Sequence, residues 1–160
     1  MKIEHCRLCK SKSIKKVIDL GSHPLSDTFL PPEILYGAEV FYPLELGLCG
    51  DCGHVFTMFL TSAVDRYQKQ DYSYDSSNSQ VSIDHFKEFS DAVERVKLLN
   101  SGSVIGDIGS NVGTLLGHFK SKGFLNVVGI EPSKNIAQIA KSIGISTIND
   151  FFGPSVVHEL

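Results

Sequence analysis

A glycine-containing turn between two apolar runs constrains the fold of this chain more than any other feature. The run Ser103–Ile108 is typical of a buried strand, and it leads into a turn with glycine at positions 109 and 113. A helix-forming segment follows, and then a second apolar run that ends at Glu131, 18 positions after Gly113. Strand, turn, helix and strand in this order predict a parallel α/β sheet. An acid at the end of the second strand suits ribose hydroxyls, so we expect an adenosine-containing ligand.

The residues of the turn indicate which adenosine ligand is expected. A nicotinamide dinucleotide site usually carries G-x-G-x-x-G, with the pyrophosphate on the helix N-terminus. This chain instead has Asp107 before the turn and Asn111 where a middle glycine would stand. A carboxylate repels a phosphate and attracts an ammonium group. S-adenosylmethionine carries an ammonium and a sulfonium but no phosphate, so the turn favours it over NAD.

Four cysteines in two pairs predict a metal site. They form Cys6-x-x-Cys9 and Cys49-x-x-Cys52, separated by 39 residues. A gap of two residues places both thiolates of a pair on one tight turn, which suits tetrahedral zinc. Four cysteine ligands leave no open coordination position, so the predicted zinc is structural. The alternative is two unrelated pairs with redox or packing roles.

Composition and charge narrow the class of protein. The chain has 160 residues, a net charge of −3 and 42% hydrophobic residues, which is ordinary for one globular domain or two small ones. No basic stripe points to a nucleic acid or an anionic membrane. The N-terminus lacks the apolar core of a signal peptide, and the longest apolar stretch is too short to span a bilayer. We therefore expect a cytoplasmic protein.

The chain divides into three predicted parts. Residues 1–61 form a zinc-binding module with strands at 16–20 and 42–48, and residues 62–100 form a connector. The connector contains a polar, tyrosine-rich loop at 71–79 and an amphipathic helix at 81–99. The third part, 101–160, adds helices at 114–122 and 132–143 and strands at 126–131 and 145–148. Three parallel strands do not bury both faces of a doubly wound sheet. We therefore expect the first half of a Rossmann-like domain and a chain that is the N-terminal part of a longer protein.

The order of these motifs resembles the sugar C-methyltransferases of deoxysugar pathways, over essentially all 160 residues. The matching segments are Cys6-Arg7-x-Cys9, Asp19-Leu20-Gly21-x-x-Pro24-Leu25, Phe29-Leu30, Tyr42-Pro43-Leu44, Cys49-x-x-Cys52-Gly53, Tyr72-x-Tyr74-x-Ser76-Ser77-x-Ser79, His85, Ile108-Gly109-Ser110-Asn111 and Gly129-Ile130-Glu131-Pro132. The resemblance implies an α/β fold, in which a small zinc-binding N-terminal module precedes the first half of a Rossmann-like methyltransferase domain. A substrate-side C-terminal domain would complete such an enzyme.

The resemblance also implies an activity. This family methylates a carbon next to the ketone of a nucleotide-linked 4-keto-6-deoxy sugar, through an enolate that attacks the sulfonium methyl. Tyr72 and Tyr74 stand where the family places active-site tyrosines, and a tyrosine hydroxyl suits an enolate oxygen. The alternative is that both only pack the loop. His85 is expected to be substrate-side or structural, with the catalytic histidine beyond Leu160, so the 160 residues alone are expected to be inactive.

The predicted cofactor site departs from the family at one position. The family usually shows Gly-Ser-Asn-Asp-Gly in the turn, and here Val112 replaces the aspartate, which puts cofactor affinity in question. Asp150 is expected near the adenine amino group. Two other functions stay open, a zinc-ribbon interaction module with a scaffold-like Rossmann half and an inactive truncated remnant. The predicted cofactor-binding residues are Asp107, Gly109, Ser110, Asn111, Gly113, Glu131 and Asp150.

Overall fold

A computed structural model describes residues 1–26, 29–30, 32–34, 37–69, 71–96 and 99–159. The chain forms two compact units, Met1–Arg66 and Tyr67–Leu160. The first unit contains an antiparallel sheet and the four cysteines, and the second contains a parallel sheet with helices. This arrangement confirms the predicted fold class, a small cysteine-bearing module followed by part of a Rossmann-like α/β domain. Among the described residues, no helix is long and apolar enough to cross a membrane.

The sheet of the first unit has three antiparallel strands in the order β1-β2-β3. They are Ile14–His23 (β1), Tyr42–Cys49 (β2) and Val55–Thr57 (β3), with a short 3-10 helix at Pro32–Ile34. The pairing of β1 with β2 shifts register twice, before Ile18 and before Ser22. Gly21 sits within the second irregularity at φ +80°, and its N–H donates to the Asp19 carboxylate at 3.0 Å. Glycine suits this position because it adopts positive φ at little cost.

Little apolar surface is buried in this first unit. Every residue of β1 after Ile14 is exposed. The buried cluster consists of Cys6, Cys49 and Phe56, with Ile3 and Ile14 packed against it. Two of its three members are thus predicted metal ligands, and so the cysteine cluster is the centre of the unit as well as its candidate binding site.

The sheet of the second unit has three parallel strands in the order β4-β5-β6. They are Ile105–Ile108 (β4), Val127–Ile130 (β5) and Thr147–Ile148 (β6), and Asp107 lies opposite Gly129 in the β4–β5 pairing. Helices connect the strands, as parallel pairing requires. The α-helices in the described part of the chain are Ala63–Tyr67 (α1), Gln80–Arg95 (α2), Thr114–Ser121 (α3), Lys134–Ser142 (α4) and Pro154–Val157 (α5).

An apolar core fills the second unit between sheet and helices. Its buried residues are Leu116, Phe119, Val127, Ala140 and Ile145. Val93 from α2 packs against this cluster. Lys122, just after α3, forms salt bridges with Asp91 and Glu94 of α2. The predicted connector helix therefore packs on the α/β unit.

Candidate metal centre and ligand cavity

The four cysteine sulfurs converge on one point. The Sγ atoms of Cys6 and Cys52 lie 3.6 Å apart, as do those of Cys9 and Cys49, and all four sulfurs lie within 4.8 Å of one another. A tetrahedral zinc ion with bonds of about 2.3 Å requires sulfurs about 3.8 Å apart. The donor set and its spacing therefore fit zinc, with two ligands buried and two exposed.

Both cysteine turns have the same backbone geometry. The N–H of Lys10 donates to the Cys6 carbonyl and the N–H of Gly53 donates to the Cys49 carbonyl, each at 3.0 Å. Lys10 and Gly53 both have positive φ, +65° and +73°. This conformation is relaxed for glycine and strained for lysine. The two pairs thus form equivalent turns, of which only the second has the residue best suited to it.

The thiols of Cys6 and Cys52 differ in pKa. The backbone N–H of Cys9 lowers the pKa of Cys6 to about 7, against the opposing effect of burial. The N–H of His54 favours the Cys52 thiolate, but the neighbouring thiols and burial outweigh it and raise the pKa of Cys52 to about 12. Thiolates this close repel one another, and a divalent cation removes that penalty.

A cavity of about 460 Å³ opens beside the glycine turn of the second unit. Seven of the predicted site residues line it, namely Tyr72, Tyr74, Asp107, Gly109, Ser110, Asn111 and Glu131. They come from the tyrosine loop, the end of β4, the turn and the end of β5. The residues of β4, the turn and β5 lie together because the carboxyl ends of neighbouring parallel strands share one edge of the sheet. Hydrogen bonds with Asn111 and Asn135 hold the tyrosine loop beside them.

Glu131 is the most buried charged group of this cavity, at 5% exposure. One carboxylate oxygen accepts the N–H of Asn111 at 3.1 Å, and the other accepts the N–H of Ser133 at 2.8 Å. These bonds fix the side chain at the end of β5. A carboxylate offers about four acceptor sites, so two remain for hydroxyl groups of a ligand.

Asp107 and Ser110 supply further polar groups to the cavity. Burial raises the pKa of Asp107, and the negative charge of Glu131 adds to that effect. A cationic ligand group would reverse both contributions. Ser110 is 4% exposed, and its hydroxyl oxygen has no hydrogen-bond partner among the described residues. This oxygen lies over Gly129 of β5, where an added Cβ would come within 2.4 Å of it, so the hydroxyl packs against the sheet.

Four positions discussed from the sequence do not line this cavity. Gly113 has φ +82°, and a Cβ there would lie 2.9 Å from Ile145. A glycine at this position therefore allows both the conformation of the turn and the close packing of Ile145. Val112 is buried at 2% exposure, so its unusual side chain contributes to the interior. The carboxylate of Asp150 accepts the N–H of Phe151. His85 is exposed on α2, beside Phe86.

Sequence reasoning missed most of the apolar wall. The ring of Tyr67 contacts those of Tyr72 and Phe151 edge to face, with centroids 5.2 and 6.4 Å apart. The pair Phe151-Phe152 follows the end of β6 after two intervening residues, and this place near a strand end could have identified it from the sequence. The missed lining residues are Tyr67, Ser76, Phe86, Ile108, Leu115, Ile130, Pro132, Phe151 and Phe152.

Comparison with known proteins relates this chain to a zinc-binding domain and to a C-methyltransferase. Residues 6–67 match the Methyltransf_13 family of zinc binding domains. Over 160 residues, 99% of this chain, the sequence is 31% identical to C-methyltransferase NovU from Streptomyces niveus. The N-terminal part of the chain therefore matches a zinc-binding domain, and the chain as a whole is similar to a C-methyltransferase, in agreement with the resemblance seen in the sequence. It spans 37% of that relative's length.

Proposed function

We propose that this chain provides the zinc-binding and cofactor-binding part of an S-adenosylmethionine-dependent C-methyltransferase, whose substrate is a nucleotide-linked keto-deoxysugar. The observation that carries the proposal is the pair of carboxylates, Asp107 and Glu131, on one cavity at the ends of two adjacent strands. The homology to a C-methyltransferase supports the same reaction class.

The cavity residues fit this cofactor in charge and hydrogen bonding. S-adenosylmethionine would supply an electrophilic methyl group on a sulfonium. Glu131 accepts the ribose hydroxyls with its remaining acceptor sites, and Asp107 neutralises the ammonium. Gly109 has no side chain to obstruct the approach, and nothing lies within 4 Å of where its Cβ would be.

Tyr72 and Tyr74 act on the substrate side. Both line the cavity, and Tyr74 is 50% exposed. A phenol donates a hydrogen bond to an oxygen that gains negative charge as the neighbouring carbon loses its proton to a base, which is expected to be the histidine beyond Leu160. The tyrosines thereby stabilise the enolate, and the cavity aligns the carbon with the methyl group. Zinc supports the first unit and takes no part in the reaction, because its four sulfur ligands leave no open position.

A calorimetric titration of the zinc-loaded chain tests the cofactor assignment. We expect S-adenosylmethionine to bind and NAD not to bind. Glu131→Gln weakens binding about tenfold or more, because a charge-assisted hydrogen bond contributes roughly 1.5–3 kcal/mol. Glu88→Gln, on the exposed face of α2 away from the cavity, is the matched control. Failure of the wild-type chain to bind the cofactor at millimolar concentration would contradict the proposal.

The substrate assignment requires a separate measurement. Methyl transfer is proposed for the whole protein, because the chain spans 37% of its relative's length. We expect the 160 residues to bind the cofactor but not to transfer a radiolabelled methyl group to a nucleotide-linked 4-keto-6-deoxy sugar. Turnover by these residues alone would contradict the expected inactivity and would confirm the substrate class.

A further inference from the structure

Asn111 joins the glycine turn to the tyrosine loop, residues 71–79. Its side-chain oxygen accepts the N–H of Ser76 at 2.8 Å, and its side-chain nitrogen donates to the carbonyl of Tyr74 at 2.9 Å. The hydroxyls of Ser76 and Thr114 lie 2.9 Å apart and form a further hydrogen bond. Both polar atoms of the Asn111 amide are therefore used by the main chain of the loop.

Asn135, on the first turn of α4, makes the same kind of contact with the main chain of Tyr72, which precedes Tyr74 in the loop. Its side-chain oxygen accepts the N–H of Tyr72 at 3.2 Å, and its nitrogen donates to the carbonyl of Tyr72 at 2.8 Å. An amide alone among short side chains offers a donor and an acceptor on one planar group. An aspartate at either position would keep the acceptor and lose the donor.

The two asparagines connect the loop to the residues expected to bind the cofactor. The N–H of Asn111 donates to Glu131, so one residue contacts both the buried carboxylate and the loop. Its φ of +51° lies in the left-handed region, which asparagine tolerates better than most residues. Asn135 does not line the cavity, so any effect on a ligand acts through Tyr72.

We propose that Asn111 and Asn135 are positioning residues, which clamp the main chain of the tyrosine loop and so hold Tyr72 and Tyr74 in the cavity. The inference rests on the function proposed above, since it gives the loop its role toward the substrate. It also assigns Asn111 a contact other than direct cofactor binding. Without the clamps, the loop main chain between 72 and 76 loses four side-chain hydrogen bonds.

Two variants remove the side-chain hydrogen bonds of these asparagines to the loop and disturb the backbone little. Asn135→Ala keeps a good helix former on α4. Asn111→Gly keeps the positive φ without strain. Asn135→Asp retains only the acceptor and is expected to be intermediate. The control is Asn126→Ala, which changes an exposed asparagine outside the loop and the cavity.

Amide hydrogen exchange, followed by NMR, measures the clamps directly. We expect exchange at the Tyr72 N–H to accelerate about tenfold in Asn135→Ala, and exchange at Ser76 to accelerate similarly in Asn111→Gly. Core amides of β5 should exchange at the wild-type rate in both variants. In protein labelled with 3-fluorotyrosine, the ¹⁹F resonances of Tyr72 and Tyr74 should shift toward positions typical of mobile side chains.

These experiments test the clamping role of the two asparagines and the proposed function independently. Wild-type exchange at Tyr72 in Asn135→Ala would overturn the clamp, whatever the cofactor titration gives. Absence of S-adenosylmethionine binding by the wild-type chain would overturn the proposed function and the ligand role of the loop. If both stand, Asn135→Ala should weaken S-adenosylmethionine binding severalfold and Asn126→Ala should not, because Tyr72 lines the same cavity as the two carboxylates proposed to bind the cofactor. Equal affinities would overturn this effect of the loop on the cofactor.

Discussion

The two units contain sheets of equal strand number that are stabilised in different ways. In Met1–Arg66, β1 is exposed along nearly its whole length, and the buried cluster is two cysteines and Phe56. In Tyr67–Leu160, helices cover the sheet and bury Leu116, Phe119 and further apolar residues. A small unit with so little apolar burial needs a covalent or metal cross-link, whereas the second unit draws on its core.

The largest expected effect is the loss of the metal site. Removal of zinc with a chelator, or Cys49→Ser, should unfold the first unit, since metal binding in small cysteine modules supplies on the order of 10 kcal/mol or more. Hydrogen exchange measures both units at once. Amides of β2 should lose protection while amides of β5 keep it. Leu8→Ala, at an exposed position between two ligands, is the control. Full protection of the β2 amides without metal would contradict the view that the first unit depends on a metal for its stability.

The second expected effect is the opposite case, in which the second unit is destabilised and the first is not. Leu116 is fully buried in the core of the second unit, so Leu116→Ala should lower that unit's unfolding free energy by about 2–5 kcal/mol. Urea denaturation followed by exchange of β5 amides measures the loss. The exposed Leu125 provides the control, and Leu125→Ala should change stability by less than about 0.5 kcal/mol. Equal destabilisation of both units would show that they unfold together.

The third effect depends on pH and is confined to the second unit. The folded-state pKa of Asp107 is raised above its ordinary value of 3.8, so ionising this group opposes folding. The penalty is absent below that value and is complete once the pH exceeds the raised pKa. Asp107→Asn should therefore stabilise the second unit at pH 7 and leave it unchanged at acidic pH.

The same variant should weaken the binding of S-adenosylmethionine at pH 7, because the ammonium loses its counter-charge. Urea denaturation at two pH values, together with calorimetry, tests both effects. Increased stability combined with undiminished affinity would argue against a role for Asp107 in ligand binding. The exposed Asp84 of α2 allows the matched control, Asp84→Asn.

The smallest effect concerns the two cysteine turns. Lys10 and Gly53 occupy equivalent positive-φ positions, so Lys10→Gly should stabilise the first unit by about 0.5–1 kcal/mol and Gly53→Ala should destabilise it by a similar amount. No atom lies within 4 Å of a Cβ at Gly53, so the cost there is conformational. Zinc affinity, measured by competition with a chelator, should follow the same order. Opposite signs would show that the turns are not equivalent.

Local patterns were enough to predict much of this molecule. The apolar runs around Asp107 and Glu131 identified β4 and β5, because buried parallel strands are nearly continuous in apolar residues. The cysteine spacing identified the cluster of four cysteines. By contrast, β3 is only three residues long, too short for an alternation to be recognised, and α1 is a five-residue helix. The helix predicted at 81–99 spans Gln80–Arg95, and residues 97–98 lie outside the described part of the chain.

Only some of the residues that line the cavity were predicted from the sequence. Residues at strand ends were found, because the carboxyl edge of a parallel sheet is a general binding position. The apolar wall was not, since Phe86 and Phe151 come from distant segments that only packing brings together. Gly113 was predicted from the glycine pattern of the turn and Asp150 from its place at the end of the third strand. Neither lines the cavity; Gly113 packs close to Ile145, and Asp150 accepts the N–H of Phe151.

The order of residues was sufficient to indicate a cysteine-rich module, a parallel α/β sheet and two acids at its binding edge. Each of these depends on spacing within a few residues, which backbone geometry converts directly into local structure. Only folding in three dimensions determined which side chains share the cavity and that Val112 is buried. It also paired Asn111 and Asn135 with the tyrosine loop. The contacts of these two asparagines with the loop join residues 35 to 63 positions apart, which no local pattern encodes.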